Sequence, residues 1–342
     1  MNARKIIIDT INHKANDEKI IPYTIYFDDA KLEEDVKNYY GKNLRELTRQ
    51  FFIHPAGFRI GRKNPFDQKY AMDVYGSIWR IDKRPPHLEI PAMAEPSFKN
   101  YEFPDAGSFL EPFEKINKIK LANDEISQNT DLFSITNIAL GIFESTWAIR
   151  GFENALTDII AEPDFYSELV GKITDFYVEI VKYTAEIKCD AIMFADDWGA
   201  QQGLLMSPDH WRKIIKPAWK KLYDMVHKQG KFVISHCCGS IYEIIPDLTE
   251  IGLDMLESVQ PEALNMDPFK LKKEFGDKIA FWGTIGSQSV MPFYKPDEIT
   301  RHIRKLKTEM SVNGGFIAAP SKAIQQGTTL CNVIALIDAL RE

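Results

Sequence analysis

The residues best equipped for chemistry form one short run, Ser235-His236-Cys237-Cys238-Gly239. In an extended chain residues i and i+2 point the same way, so His236 and Cys238 share one face and Cys237 takes the other. An imidazole nitrogen and a thiolate on one face suit zinc, while Cys237 packs as a small apolar group. The alternative stays open here: two buried cysteines and a hydrogen-bonded core histidine. A third ligand must come from elsewhere in the chain. Glu257 interrupts the apolar run Met255-Leu256-Glu257-Ser258-Val259 and stands ahead of Glu262 for that place; carboxylate oxygen is an acceptable zinc donor. The adjacent acids Asp196 and Asp197 can hold a hydrogen-bond donor, shift each other's pKa or bind a hard cation; equally, one of them caps the following turn. Glu144 faces a pocket in this reading, and Trp198 and Trp282 are the two indoles best placed to line it.

These residues need elements to position them. Short apolar runs read as buried strands at 132–139, Ala191–Ala195, 232–235, Met255–Val259, 279–282 and 315–319. Between them lie amphipathic helices: 207–229, opened by Ser207-Pro208-Asp209; 241–251, closed by Gly252; Pro268–Phe275, closed by Gly276; and Pro296–Met310. Strand then helix, repeated, implies parallel strands joined by crossover helices. No G-x-G-x-x-G follows a strand, against a dinucleotide-binding sheet. The prediction is a (β/α)8 barrel occupying 1–342 as one domain, with about residues 1–110 holding an N-terminal extension and the first barrel elements. A barrel's active site lies just beyond its strands, at the C-terminal mouth. Asp196, His236, Glu257, Trp282 and Lys322 all follow strand candidates, and are expected around one largely apolar cavity.

The 342 residues carry 42 Lys+Arg against 49 Asp+Glu, a formal net charge of −7. Binding nucleic acid would need a local basic stripe, and the clusters at Arg59, Arg62, Lys63 and at 301–307 are too short, the second being a solvated helix face. Four cysteines, two of them adjacent, make no disulfide framework and point to a reducing, cytoplasmic setting. The opening residues lack the apolar core of a signal peptide, and no uncharged apolar run approaches the roughly 18–20 residues that span a bilayer. Neither nucleic acid nor membrane is an expected partner.

Several segments together resemble the uroporphyrinogen decarboxylase family, and within it the branch of zinc- and corrinoid-dependent methyltransferases. They are Ala195-Asp196-Asp197-Trp198-Gly199 with Gln202 to Pro208, His236-x-Cys238-Gly239-Ser240, Val259-Gln260-Pro261-Glu262, Phe281-Trp282-Gly283 and Gly314 to Ser321. Tyr75-Gly76-Ser77-Ile78-Trp79 and Ile149 to Glu153 fit upstream. The resemblance implies a barrel with an N-terminal extension and zinc held by His236 and Cys238. The branch has a further cysteine after the last strand; this chain has Ser321-Lys322 there, which implies a mixed site completed by Glu257. The implied activity moves a methyl group between a small donor, an aromatic methyl ether first, and the cobalt of a corrinoid (cobalamin), with zinc as Lewis acid. Asp196 and Lys322 would be catalytic; Asp197, Trp198, Trp282 and Glu144 would hold substrate. The Asp-x-His-x-x-Gly signature of a cobalamin module is absent, so a separate corrinoid protein is the expected partner; a homodimer is compatible with the sequence. The alternatives are a metal-free decarboxylase acting on a porphyrinogen, for which the arginine-rich N-terminal segment is missing, and a non-catalytic barrel binding a corrinoid or other small ligand.

Overall fold

Seven short strands pair in parallel, in the order in which they occur along the chain. They are β1 (Phe52–Arg59), β2 (Phe133–Ala139), β3 (Ala191–Ala195), β4 (Phe232–His236), β5 (Met255–Val259), β6 (Ala280–Ile285) and β7 (Phe316–Pro320). The computed structural model describes residues 2–14, 20–48, 50–61, 63–83 and 85–342; Arg62, named above, lies outside them. The eighth place is taken by residues 22–28, which bridge β7 in parallel at Tyr23 and Ala318. Thr24 N–H donates to Ala318 O at 3.0 Å, and on the other side Ile25 N–H donates to Thr48 O at 3.0 Å, just ahead of β1. Inside, Phe52 of β1 stacks on Trp282 of β6 with centroids 4.8 Å apart, and the Trp282 indole N–H donates to Thr24 Oγ1 at 2.9 Å. The sheet thus curls into the TIM-barrel-like fold that the strand-helix rhythm predicts.

Helices α1 (Ile142–Arg150), α2 (Pro163–Tyr183), α3 (Lys216–Lys228), α4 (Pro268–Phe275), α5 (Pro296–Met310) and α6 (Leu330–Arg341) cover the outside. Their starts follow from local chemistry: Asp267 accepts the Lys270 N–H ahead of α4, and proline occupies the first turn of α2, α3, α4 and α5, where its missing N–H costs nothing. On α5 the residues Ile299, Ile303, Leu306 and Met310 are buried, the i, i+4 face of an amphipathic helix. The helix expected over 207–229 is divided. Pro208–His210 passes into a π turn at Trp211–Ile215 before α3 begins, and the wider turn rotates everything after it.

Two strand ends differ from expectation. β1 was not foreseen, and β6 continues past Trp282 to Ile285, so Trp282 sits within the strand rather than at its exit. After β1 the chain builds a small antiparallel sheet from Asn64–Pro65, Tyr70–Met72, Ile78–Arg80 and His87–Ile90. The following irregular stretch is pinned to α1 by the buried Arg150, whose guanidinium donates to Met93 O and Ala94 O at 2.6 Å each and pairs with the buried Asp158 at 2.6 Å. Among the described residues no helix is long and apolar enough to cross a membrane.

Candidate metal centre

His236 ends β4, and the next residues leave the sheet with their alternation kept. Cys237 is buried and its Sγ accepts the Trp198 N–H at 3.3 Å. Cys238 turns back, placing its Sγ 3.4 Å from His236 Nε2. The register pairs His236 with Glu257 on β5, and the Glu257 carboxylate bonds His236 Nδ1. That bond leaves Nε2 for the other side, where Asp197 Oδ1 lies 4.0 Å away. Asp197 is itself steadied by the Cys238 N–H, which donates to Oδ1 at 2.8 Å. One donor atom from each of Asp197, His236 and Cys238 lies within 4.8 Å of the others.

These donors fit zinc. Bonds of about 2.0–2.3 Å in a tetrahedron put neighbouring donors roughly 3.3–3.6 Å apart. The imidazole–thiolate separation already has that value, and Asp197 Oδ1, 4.0 Å from Nε2, lies beyond it. One thiolate, one imidazole and one carboxylate form a three-residue set of the kind catalytic zinc sites use. The acid that converges with His236 and Cys238 is Asp197, where the sequence pointed to Glu257. Glu257 holds the wrong ring nitrogen for coordination; its effect is to fix the tautomer and angle of His236.

Asp196 points the opposite way from Asp197 and is fully buried. Its oxygens accept the N–H groups of Phe143 (3.0 Å) and Glu144 (2.9 Å) and the indole N–H groups of Trp198 (2.8 Å) and Trp219 (3.1 Å). Phe143 and Glu144 form the first turn of α1, so Asp196 caps a helix from a distant strand. A Cβ on Gly141 would stand 2.1 Å from its Cγ; only glycine allows this approach. Burial pushes the Asp196 carboxyl up and the donors pull it back. Asp196, expected as catalytic, has no exposed surface to offer a substrate, and its four N–H donors make it an anchor for α1.

Both indoles expected to clamp a ring are core. Trp198 is 0% exposed, meeting Trp211 and Trp219 edge-on at 5.4 and 5.9 Å, and Trp282 is 2% exposed inside the barrel. Lys322, expected as catalytic, follows β7 at the same end; it is exposed and, among the described residues, makes no hydrogen bond or ion pair to the His236 group. Glu262 ties down the loop after β6 by accepting the N–H groups of Gln288 and Ser289 at 2.8 and 3.0 Å.

Two of the donors, Asp197 and His236, open onto a cleft of about 820 Å³ walled also by Arg59, Lys63, Leu140 and Glu144. Glu144 lies where the sequence placed it, on this wall. Burial first, and then the charges of Asp196 and Asp197, push its carboxyl up to about 8. Lys63 lies over the Trp79 ring at 4.1 Å, and its pKa is lowered by burial.

The family model described as Uroporphyrinogen decarboxylase (URO-D) matches residues 74–342. The chain belongs to the uroporphyrinogen decarboxylase family. A uroporphyrinogen decarboxylase of Chloroherpeton thalassium is 20% identical over 271 residues, 77% of this chain and 73% of that protein. A solved methyltransferase from Methanosarcina mazei superposes with a TM-score of 0.68 at 17% identity, covering 99% of this chain and 98% of that one, a likeness of fold. Within this uroporphyrinogen decarboxylase family barrel, reasoning from sequence missed the convergence of Asp197 with His236 and Cys238 and the cleft positions of Arg59 and Lys63. Two adjacent acids carry no signal of which faces the mouth. The basic residues were visible only as charge, because the strand bearing Arg59 was not recognised.

Proposed function

We propose that this chain is a methyltransferase that moves a methyl group between a small donor, a methyl ether or methylamine, and the cobalt of a corrinoid carried by a separate protein. The observation that carries the reading is the imidazole, thiolate and carboxylate of His236, Cys238 and Asp197, convergent at the mouth of the barrel. A metal-free decarboxylation has no use for such a set. Zinc held there supplies a Lewis acid for the oxygen or nitrogen that departs from the methyl group. The chain's own residues do the rest. Glu257 holds the His236 ring so that Nε2 faces Cys238, and the Cys238 N–H holds Asp197. Glu144 and Asp197 face the same cleft, where positioning the methyl carbon in line with its acceptor is worth several kcal/mol. With both indoles buried, no phenylalanine, tyrosine or tryptophan is among the described residues that line the cleft.

The test is elemental analysis of protein purified without chelator or metal-affinity tag, coupled to methyl transfer onto an added corrinoid protein. Cys238→Ser replaces a thiolate by a hydroxyl that stays protonated at neutral pH, so zinc and transfer are lost together. Cys237→Ser keeps the metal and costs stability instead, roughly 1–3 kcal/mol for a buried hydroxyl without a partner. Equal zinc loss in both variants, zinc-free wild-type protein, or demethylation without any corrinoid would overturn the proposal.

A further inference from the structure

The link between β2 and α1 is short and fixed at both ends. Before it, Ala139 is in register with Arg59 of β1, and its carbonyl accepts the Ile60 N–H at 3.3 Å. Beyond it, Asp196 holds the first turn of α1, and Gly141 stays bare because a Cβ there would lie 2.1 Å from Asp196 Cγ. The turn falls on Leu140, at φ +71°. Its carbonyl is tied down by the buried Tyr177 hydroxyl of α2.

That backbone belongs to glycine. An L side chain at positive φ is strained, least for asparagine and most for bulky residues. Among the described non-glycine residues with positive φ, Asn117, Asn265 and Asn313 tolerate it readily, and Leu140 is the one aliphatic side chain. Strain of this kind persists where the surroundings over-determine it, and it gathers at functional sites. A leucine kept where glycine would relieve the strain points to a use for the side chain.

The side chain reaches across the gap between β2 and β1. Its Cβ, Cδ1 and Cδ2 lie 3.3–3.4 Å from where a Cβ on Gly61 would stand. Gly61 and Leu140 line the cleft together with Ala195, Asp197 and His236, and Leu140 is the largest apolar side chain of that wall. Ala195 of β3 is level with His236 of β4, and one residue earlier Phe194 is level with Ile138 of β2. Leu140 therefore stands just above the row that ends in His236.

We infer that Leu140 is a specificity-determining residue, whose side chain fills the corner of the cleft between β1 and β2 and limits the bulk of the molecule that can stand beside His236 and Asp197. The slim end of a methyl donor passes, and a branched or cyclic substituent at that point meets the leucine. The inference rests on the reading that this cleft receives the donor. Its test reads thiol chemistry and melting, not methyl transfer, so that the two can fail separately.

A cysteine placed at Ala195 reports what reaches the row of His236. The chain carries Ala195→Cys with Cys331→Ser, which removes the exposed native thiol, and is reacted with methyl and benzyl methanethiosulfonates. Peptide mass mapping separates the reporter from Cys238. The benzyl-to-methyl rate ratio at the reporter rises about ten-fold in Leu140→Ala and Leu140→Gly, and keeps its starting value in Leu140→Met, which retains the bulk. Leu140→Gly also melts above Leu140→Ala by roughly 1–3 °C, the reverse of the usual order, because only glycine relieves the strain. Ala139→Cys, on the neighbouring strand and also on the cleft wall, is the reporter if Ala195→Cys does not fold. A ratio unmoved by both truncations, or a glycine variant that melts below the alanine one, overturns the inference. A ratio that follows Leu140 in a protein that transfers no methyl group leaves the inference standing and removes the methyltransferase reading alone.

Discussion

Replacing Asp196 by asparagine separates an anchor from a catalytic group. The carboxylate accepts four N–H bonds, three at Oδ2 from Phe143, Trp198 and Trp219 and one at Oδ1 from Glu144. An asparagine turned to keep its carbonyl toward the first three presents its amide group to the Glu144 N–H, which is then buried without an acceptor. That loss costs about 1–3 kcal/mol. The other three bonds lose their charge, and a charge-assisted bond is worth roughly 1 kcal/mol more than a neutral one. Relief from burying a charge offsets part of this. The net expectation is a destabilisation of about 3–5 kcal/mol in urea unfolding at neutral pH, with zinc per folded molecule unchanged. A loss below about 1 kcal/mol, within the range of an ordinary surface change, would refute the anchoring argument. Zinc loss at full stability would instead return Asp196 to the metal centre.

The same contact predicts that Gly141→Ala destabilises by at least the 1–3 kcal/mol typical of overpacking, read by thermal melting, because its Cβ would lie 2.1 Å from Asp196 Cγ; a melting curve like that of the wild type speaks against the close approach. Glu257→Gln frees the His236 ring and weakens zinc about 10–100-fold, measured by competition with a chromogenic chelator, and an unchanged affinity would show that Glu257 does not orient the ligand. His227 has a pKa raised above its ordinary 6.5 chiefly by the hydrogen bond to Asp254 at 2.9 Å. The folded state therefore holds the proton more tightly than the unfolded one, and the stability so gained is complete below pH 6.5 and lost as pH rises through the folded value. Chemical denaturation across that range should show the decline in the wild type and a flatter profile in His227→Gln; identical profiles would contradict the linkage.

How much of this was legible in the sequence depended on local regularity. Ala191–Ala195 and Met255–Val259 are short runs of mostly apolar residues between turn signals, and Pro268–Phe275 and Pro296–Met310 begin with proline, so these elements were read with their observed bounds. The alternation that parts Cys237 from Cys238 needs only a period of two. Phe52–Arg59 hides its nature because histidine, proline and glycine break the apolar run, and a β-bulge between Ile53 and Ala56 inverts the pattern midway. Trp282-Gly283 looks like a strand exit because glycine usually weakens a strand; here the strand passes through Gly283, at φ +124°, and three further residues bury Trp282. The π turn at Trp211–Ile215 likewise leaves no mark in a sequence whose proline and serine announce one continuous helix. Which of Asp196 and Asp197 faces the cleft, and which of Glu257 and Asp197 converges with Nε2 of His236, is decided by contacts from other strands and cannot be read from either neighbourhood alone.

The cage around Asp196 also makes this protein its own reporter. Of its six tryptophans, Trp211 and Trp219 both lie within 6 Å of the Trp198 ring, and Trp198 and Trp219 donate to the same carboxylate oxygen. Indoles so close and so fixed couple their excited states, giving near-ultraviolet circular dichroism that isolated rings lack and rapid depolarisation of emission between them. Loosening of the segment that carries Asp197 toward the cleft would therefore register optically before the barrel itself unfolds, with no label attached.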